Sequence, residues 1–433
     1  MKTEQPRLKK ALAGIACLSI MAALATPASA QDELQGEYKV GLVNFLSGAA
    51  AGPFGIPARN AAEIVVEAIN KGTVPAPYNT AGIAGARVVP VIVDEASSQV
   101  VADYRNLVER DGVGAVIGYT SSGNCAAVAP VAEDIQALTI FFDCGTPQVF
   151  ETIVTSPKYL FRTGATATMD NVAAARYLLD KGLTTPRIAG INQNYAYGQD
   201  SWEDFSASVE VLLPDANIVS SQFPTLYSGQ YGSEISSLLT QTPDVVHSSL
   251  WGGDMEAFVL QAAGRGIFQR STVILTGGET AMFRPVQFPE GTVIGARGPH
   301  GVLAPESELN TWFRDLYMQR FGTWPTYPSY KMAMAVLGLK AAADAAGSTD
   351  KDAVAASLKG LEFDSPSGTV RMAIAGGHQA IQDMIYGVYR VNPDTRQAEL
   401  VERVEYAAQC VNPPDGAKSL EWIKGGFEGA QCN

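Results

Sequence analysis

Histidine is scarce in this 433-residue sequence: His247, His300 and His378 are the three, all in the second half and far apart. No His-Glu-x-x-His and no Gly-x-Ser-x-Gly elbow occurs, so the common zinc-hydrolase and serine-hydrolase constellations are missing. Basic charge is also in deficit. Lys and Arg number 31 against 44 Asp and Glu, a formal net charge of −13 at pH 7. Nucleic-acid binding needs a basic footprint, so that class is excluded. The acidic total leaves the sign of an enclosed pocket open. After the first thirty residues no apolar run approaches the roughly 20 residues that span a bilayer, so no membrane insertion is expected.

Those first thirty residues read as a leader. Lys2, Arg7, Lys9 and Lys10 precede an apolar or small-residue stretch from Ala11 to Ala25, and Ala28-Ser29-Ala30 supplies a small-x-small cleavage site. A retained anchor would need a longer run, and a lipoprotein built on Cys17 would need a larger aliphatic residue where Gly14 stands. A cleaved, exported, soluble chain is therefore expected. Cleavage leaves Cys125, Cys144, Cys410 and Cys432, an even number that suits two disulfides outside the cytoplasm. Three connectivities are open, and we take nearest-neighbour pairing, Cys125–Cys144 and Cys410–Cys432. The second would tie down a glycine-rich tail, a closure worth roughly 3 kcal/mol in the chain-entropy model. A zinc site would need the short Cys-x2–4-Cys spacing, which is missing.

What the sequence does have is alternation. Strand-like apolar runs at 40–46, 88–93, 113–118 and 138–142 are separated by helical patterns at 59–70, 100–109 and 126–136. The strands are continuously apolar, as expected when both sheet faces are buried. After 160–163 a second series begins, with helices at 171–181, 201–212, 233–239 and 255–264 among strands at 187–192, 217–223, 245–250 and 272–275. Two such series imply two α/β lobes, each a mostly parallel sheet with helices on both faces. Beyond Gly291 the order is irregular: a strand at 292–295, helices near 307–320, 330–346 and 351–360, and a late strand at 384–391. That suits a chain recrossing between lobes.

Three strand ends carry chemistry. Gly118-Tyr119-Thr120-Ser121-Ser122-Gly123-Asn124 has phosphate-loop glycine spacing, but Asn124 replaces the lysine. Its simpler use is a helix N-terminus whose free N–H groups, with the Ser121 and Ser122 hydroxyls, take a carboxylate; an ordinary N-cap is the bland alternative. Asp143-Cys144-Gly145-Thr146-Pro147 ends the next strand, where open α/β sheets bind ligands, and Thr146 is either a second donor or a turn residue. Glu279, behind Gly277-Gly278, is either an ammonium partner or a solvated loop glutamate. Phe54, Tyr197 and Trp251 sit in or beside loops after strands, as pocket walls or simple packing.

These motifs resemble the branched-chain amino-acid type of periplasmic binding protein, a family that includes amide and aromatic-acid binders. Phe45-Leu46-Ser47-Gly48, then Ala58-Arg59-Asn60-Ala61-Ala62-Glu63 and Ala68-Ile69-Asn70, are similar to its first loop and helix. Phe161-Arg162-Thr163, Asn194-Tyr195-Ala196-Tyr197-Gly198-Gln199, Ala346-Gly347-Ser348-Thr349-Asp350, Phe363-Asp364-Ser365-Pro366-Ser367-Gly368 and Gly377-His378-Gln379 follow in the family's order. The resemblance implies a type I fold, two lobes joined by three crossovers, with the ligand in the cleft between them. It assigns 31–156 with 297–362 to the N-terminal lobe, 157–296 with 363–405 to the C-terminal lobe, and 406–433 to a tail. It maps the ligand carboxylate onto Ser121 or Ser122 and Gly145 or Thr146. Phe54, Tyr197 and Trp251 become aromatic walls, and Glu279 the ammonium partner. Cys144 and Cys125 depart from the family pattern beside the carboxylate subsite.

The expected function is thus a periplasmic receptor of an ABC importer, monomeric and without cofactor or metal, that closes on a small carboxylate and passes it to a permease. An amino acid is the leading ligand. A non-amino aromatic carboxylate or amide, or an exported sensor with the same pocket, are the alternatives. An enzyme is the weakest reading.

Overall fold

A computed structural model describes residues 34–284 and 288–432; the expected leader, 1–30, lies outside the described residues. The chain opens with β1 (Glu37–Asn44), a π-turn at Ala51–Gly55, α1 (Ile56–Lys71), β2 (Arg87–Asp94), α2 (Val100–Arg105), β3 (Ala115–Gly118), α3 (Ser122–Asp134), β4 (Thr139–Phe141) and β5 (Leu160–Arg162). A second run comprises α4 (Ala167–Asp180), β6 (Arg187–Ile191), α5 (Ala196–Leu212), β7 (Asn217–Gln222), α6 (Gly232–Gln241), β8 (Val245–Ser248), α7 (Gly252–Gly264), β9 (Thr272–Leu275) and β10 (Val293–Gly295). The remainder is α8 (Glu308–Phe321), α9 (Tyr327–Ala346), α10 (Lys351–Leu358), β11 (Glu362–Ser365), β12 (Gly368–Ile374), β13 (Gln379–Ile381), β14 (Met384–Val391), β15 (Ala398–Tyr406), α11 (Ala408–Val411) and α12 (Ser419–Lys424). Helix ends follow local chemistry. Thr166 caps α4 by accepting the Met169 N–H, Ser307 caps α8 likewise from Asn310, and left-handed Gly72 stops α1.

The strands form two sheets, ordered β11-β12-β13-β5-β4-β3-β1-β2 and β15-β14-β10-β9-β8-β6-β7. Each is parallel through its centre and antiparallel at one edge. Central strands β3 and β8 are buried along their whole length; β3 is an unbroken apolar run, as burial on both faces favours, whereas β8 buries His247 and Ser248 after its two valines. One face of the first sheet packs α1, α8, α9 and α10 through side chains such as Val65, Ile69, Phe313 and Leu337. The other face takes α2 and α3, through Tyr104 and Val128. The second sheet is covered by α4 and α5 on one side and by α6 and α7 on the other. This is the two-lobed type I architecture, with crossovers between β5 and α4, β10 and α8, and β13 and β14.

Strand pairing moves two expected boundaries. Residues 157–162 and 363–381 were assigned to the second lobe, but β5 pairs with β4, and β11 to β13 continue the same sheet beyond it. Backbone hydrogen bonding, rather than any break in composition, decides where the chain crosses. The tail docks on the second lobe by burying Trp422, Ile423 and Phe427 beside Met169 and Phe205. Cys410 is bonded to Cys432 across its base, with Cα atoms 4.7 Å apart. Cys125 is bonded to Cys144, Cα to Cα 6.3 Å, joining the start of α3 to the loop after β4. Among the described residues no helix is long and apolar enough to cross a membrane.

Candidate functional site

The strand ends of the two sheets face one another across a cleft. Phe54, Thr120, Asp143, Gly145 and Tyr327 line it from one side, Tyr195, Tyr197, Ser249, Trp251 and Gly277 from the other. Arg297, on the crossover after β10, forms part of the same lining. The lobes are drawn close, and the space between them is about 10 Å³, roughly one water's worth. Admitting a ring-sized ligand requires the lobes to part.

Aromatic side chains dominate the walls. Phe54 is carried by the π-turn ahead of α1, and Tyr327 begins α9. Tyr195 and Trp251 occupy the N-cap positions of α5 and α7, so both helices present a ring at the cleft. Phe54 meets Trp251 at 5.1 Å and Tyr327 at 5.4 Å between ring centroids, both edge to face. The Trp251 indole Nε1–H donates to the Tyr195 hydroxyl at 2.6 Å, which fixes both rings. Gly145 is required by this closeness: a Cβ there would lie 2.4 Å from the Tyr197 ring and 2.9 Å from Arg297 Nη1.

The polar floor is a buried charge cluster. Arg297 Nη2 lies 3.3 Å from Asp143 Oδ1, and its Nε 3.4 Å from Asp170 Oδ2. Nη2 also donates to the Ala165 carbonyl at 2.8 Å, and the guanidinium stacks 4.7 Å above Tyr197. Lys331 Nζ reaches Asp143 Oδ1 at 3.0 Å. Burial works against the charge on Arg297, but the acids and tyrosines around it, Asp170 first, hold its pKa well above the ordinary value. Burial pushes Asp170 up to about 6 despite Arg297. Lys331 is brought down to about 8 by burial and then by Arg297. Arg297 Nη1 donates no hydrogen bond to a described residue and points toward Gly145 and the cleft.

Of the residues expected from the sequence, Phe54, Gly145, Tyr197 and Trp251 face this space, while Ser121, Ser122, Thr146 and Glu279 do not. The anion position at the start of α3 is filled by the chain itself. Glu95, 1 % exposed, accepts the Thr120 N–H at 2.8 Å, the Ser121 N–H at 2.7 Å and the Asn124 side-chain amide at 3.2 Å. Burial raises the Glu95 carboxyl to about 7 even against these donors. The Ser122 hydroxyl accepts the Thr146 N–H at 3.2 Å. Thr146 Oγ1 donates to Asp200 Oδ2 on α5 at 2.5 Å, a bond between lobes rather than one toward the cleft. Glu279 lies in a turn at Gly278–Ala281, fully buried, with Oε2 accepting the Tyr327 N–H at 2.7 Å. Its other oxygen is packed against Gly301 and has no hydrogen-bond partner among the described residues, and burial pushes the group up to about 8. The carboxyl is thus turned away from the cleft lining and toward the start of α9.

Arg297, Asp143, Tyr195 and Tyr327 escaped the sequence reading. Arg297 left one signal, a lone cation between Ala296 and Gly298 directly after a buried strand. The acids that converge on it come from distant strands and helices.

A family model described as a periplasmic binding protein matches residues 37–396. A leucine-, isoleucine-, valine-, threonine- and alanine-binding protein of Pseudomonas aeruginosa is 25 % identical over 374 residues, 82 % of this chain and 91 % of that one. Among solved structures, an ABC-transporter solute-binding protein of Rhodopseudomonas palustris BisB5 in complex with 3,4-dihydroxybenzoic acid superposes with a TM-score of 0.74 at 19 % identity, covering 86 % of this chain and 98 % of that one. An amino-acid ABC-transporter substrate-binding protein of Pseudomonas fluorescens Pf-5 gives 0.71 at 18 % identity, covering 90 % and 98 %.

Proposed function

The chain belongs to the periplasmic binding protein family, and from that premise we propose that it is the extracytoplasmic receptor of an ABC importer whose cargo is a small aromatic carboxylate. The carrying observation is Arg297, a cation facing a cleft walled by Phe54, Tyr195, Tyr197, Trp251 and Tyr327. In this reading the ligand carboxylate takes the free Nη1 edge of Arg297, a charge-assisted bond of roughly 1.5–3 kcal/mol. The ring enters among the aromatic walls, where edge-to-face contacts add about 0.5–1.5 kcal/mol per pair beyond area burial. Thr120, whose buried hydroxyl has no partner among the described residues, supplies a further donor. The moving bodies are 34–162 with 304–381 and 167–296 with 384–432. Their closure excludes water from the cargo and presents the surface that a permease reads.

An α-amino acid is the second reading, favoured by Asp143 in the lining, which offers an ammonium its acceptor. A calorimetric panel of benzoate, hydroxybenzoates and branched-chain amino acids separates the two. Binding of benzoates with amino acids silent supports the first reading; the reverse order supports the second.

A further inference from the structure

Away from the cleft lining, another cation is buried with no ion-pair partner among the described residues. Arg162 ends β5 and is 1 % exposed. Its Nε donates to Gln379 Oε1, and its Nη1 donates to the Cys144 and Thr146 carbonyls. These are neutral acceptors, and among the described residues no carboxylate forms an ion pair with the guanidinium. Nη2 makes no hydrogen bond to a described residue. A buried charge so placed is costly unless something neutralises it.

Arg162 borders a cavity of about 330 Å³, within the size of small-ligand sites. Pro147, Phe150 and Ile374 give it apolar walls, with the Phe150 ring 5.5 Å from the guanidinium. The docked tail closes the far side and brings Lys418 to the rim. Two acids also border the space, and both are engaged elsewhere. Glu151 accepts the Ser419 N–H and hydroxyl at 3.0 and 2.6 Å, and Asp415 accepts the Gly376 N–H at 2.9 Å. They leave Arg162 unpaired while limiting how much negative charge the cavity tolerates.

We infer that this cavity is a second ligand site, taking a small monocarboxylate with its anionic end on Arg162 and a short hydrocarbon part against Phe150 and Ile374. The site lies beside Thr166, at the crossover into α4, and its wall is partly tail, so occupancy ties the first lobe to the tail on the second. Burial, and then Arg297, lower Arg162 to about 9, and a bound anion acts in the opposite direction.

The test is the melting temperature of the purified mature protein during titration with sodium propionate, exchanged against chloride at constant ionic strength. A saturable rise of about 2 °C or more is expected. It should vanish in Arg162→Gln and in Thr155→Trp, which plugs the cavity from its exposed rim and leaves Arg162 intact. Should Arg162→Gln fail to fold, Thr155→Trp decides alone. No rise in the wild type, or an equal rise in Thr155→Trp, overturns the assignment.

Discussion

The ring of Phe54, on the first lobe, meets the ring of Trp251, on the second, edge to face at 5.1 Å. Closure of the lobes makes that contact, and it lies where the cargo is proposed to enter. Either Phe54→Ala or Trp251→Ala should weaken binding of an aromatic carboxylate about ten- to hundredfold, since each removes a buried ring worth roughly 1.5–3 kcal/mol. Calorimetry on the two single variants and the double variant measures their coupling, expected between about 0.5 and 1.5 kcal/mol. Strictly additive losses would mean the rings do not act together.

Thr146 Oγ1 bonded to Asp200 Oδ2 is a latch between lobes. Thr146→Val keeps the side-chain shape, removes the donor and leaves the half-buried Asp200 carboxylate short of a partner. Ligand release should accelerate by about three- to tenfold, at 0.5–1.5 kcal/mol for one net hydrogen bond. Stopped-flow dissociation reads this, and an unchanged rate would show that the bond persists with the lobes apart.

Glu279 sets part of the pH dependence of stability. Its ordinary pKa is 4.5, and burial raises it to about 8 in the folded protein. Between those values the folded state holds a proton that the unfolded state has lost, so stability falls as pH rises. Glu95, raised to about 7, acts in the same direction. Glu279→Gln should flatten the decline between about pH 5 and 7 by one proton, roughly 1.4 kcal/mol per pH unit. Urea denaturation at a series of pH values measures it; an unaltered slope would mean that the carboxyl is ionised in the fold.

Cys410–Cys432 closes the tail on itself while Trp422, Ile423 and Phe427 hold it to the second lobe. The paired change Cys410→Ser with Cys432→Ser should cost roughly 3 kcal/mol of local stability. Hydrogen exchange of the α12 amides should quicken while the amides of β8 keep their protection. Uniform quickening of both would mean that the tail unfolds with the whole lobe.

The alternation of strands and helices was legible because parallel strands buried on both faces announce themselves. Val113 to Gly118 is an unbroken apolar run, and Val273 to Leu275 is another. The antiparallel strands β11, β12 and β15 were not legible. β12 alternates buried Val370 and Met372 with exposed Thr369 and Arg371, and β15 carries Glu399, Glu402, Arg403 and Glu405. Charges of that kind blunt a sheet edge and in sequence look like loop.

Three of the five rings in the lining, Phe54, Tyr197 and Trp251, were readable as aromatic residues in or beside loops after strands, and Tyr195 and Tyr327 were not. The polar half of the candidate site was not. Glu95 follows β2 directly, and nothing in its sequence neighbours says that it reaches the amides of Thr120 and Ser121. Glu279 looked like a free carboxylate behind two glycines, but the turn sends it inward to the Tyr327 amide. Arg297 gains its meaning from Asp143 and Asp170, which meet it only in three dimensions.

Benzoate titrated calorimetrically into the wild-type protein and into Arg297→Gln tests the cleft directly. With thermal melts confirming that the variant folds, micromolar binding to the wild type should weaken at least a hundredfold, about 2.7 kcal/mol or more. Equal benzoate affinity in the two proteins, or no benzoate binding alongside tight binding of a branched-chain amino acid, would contradict the assignment of Arg297 as the carboxylate's partner.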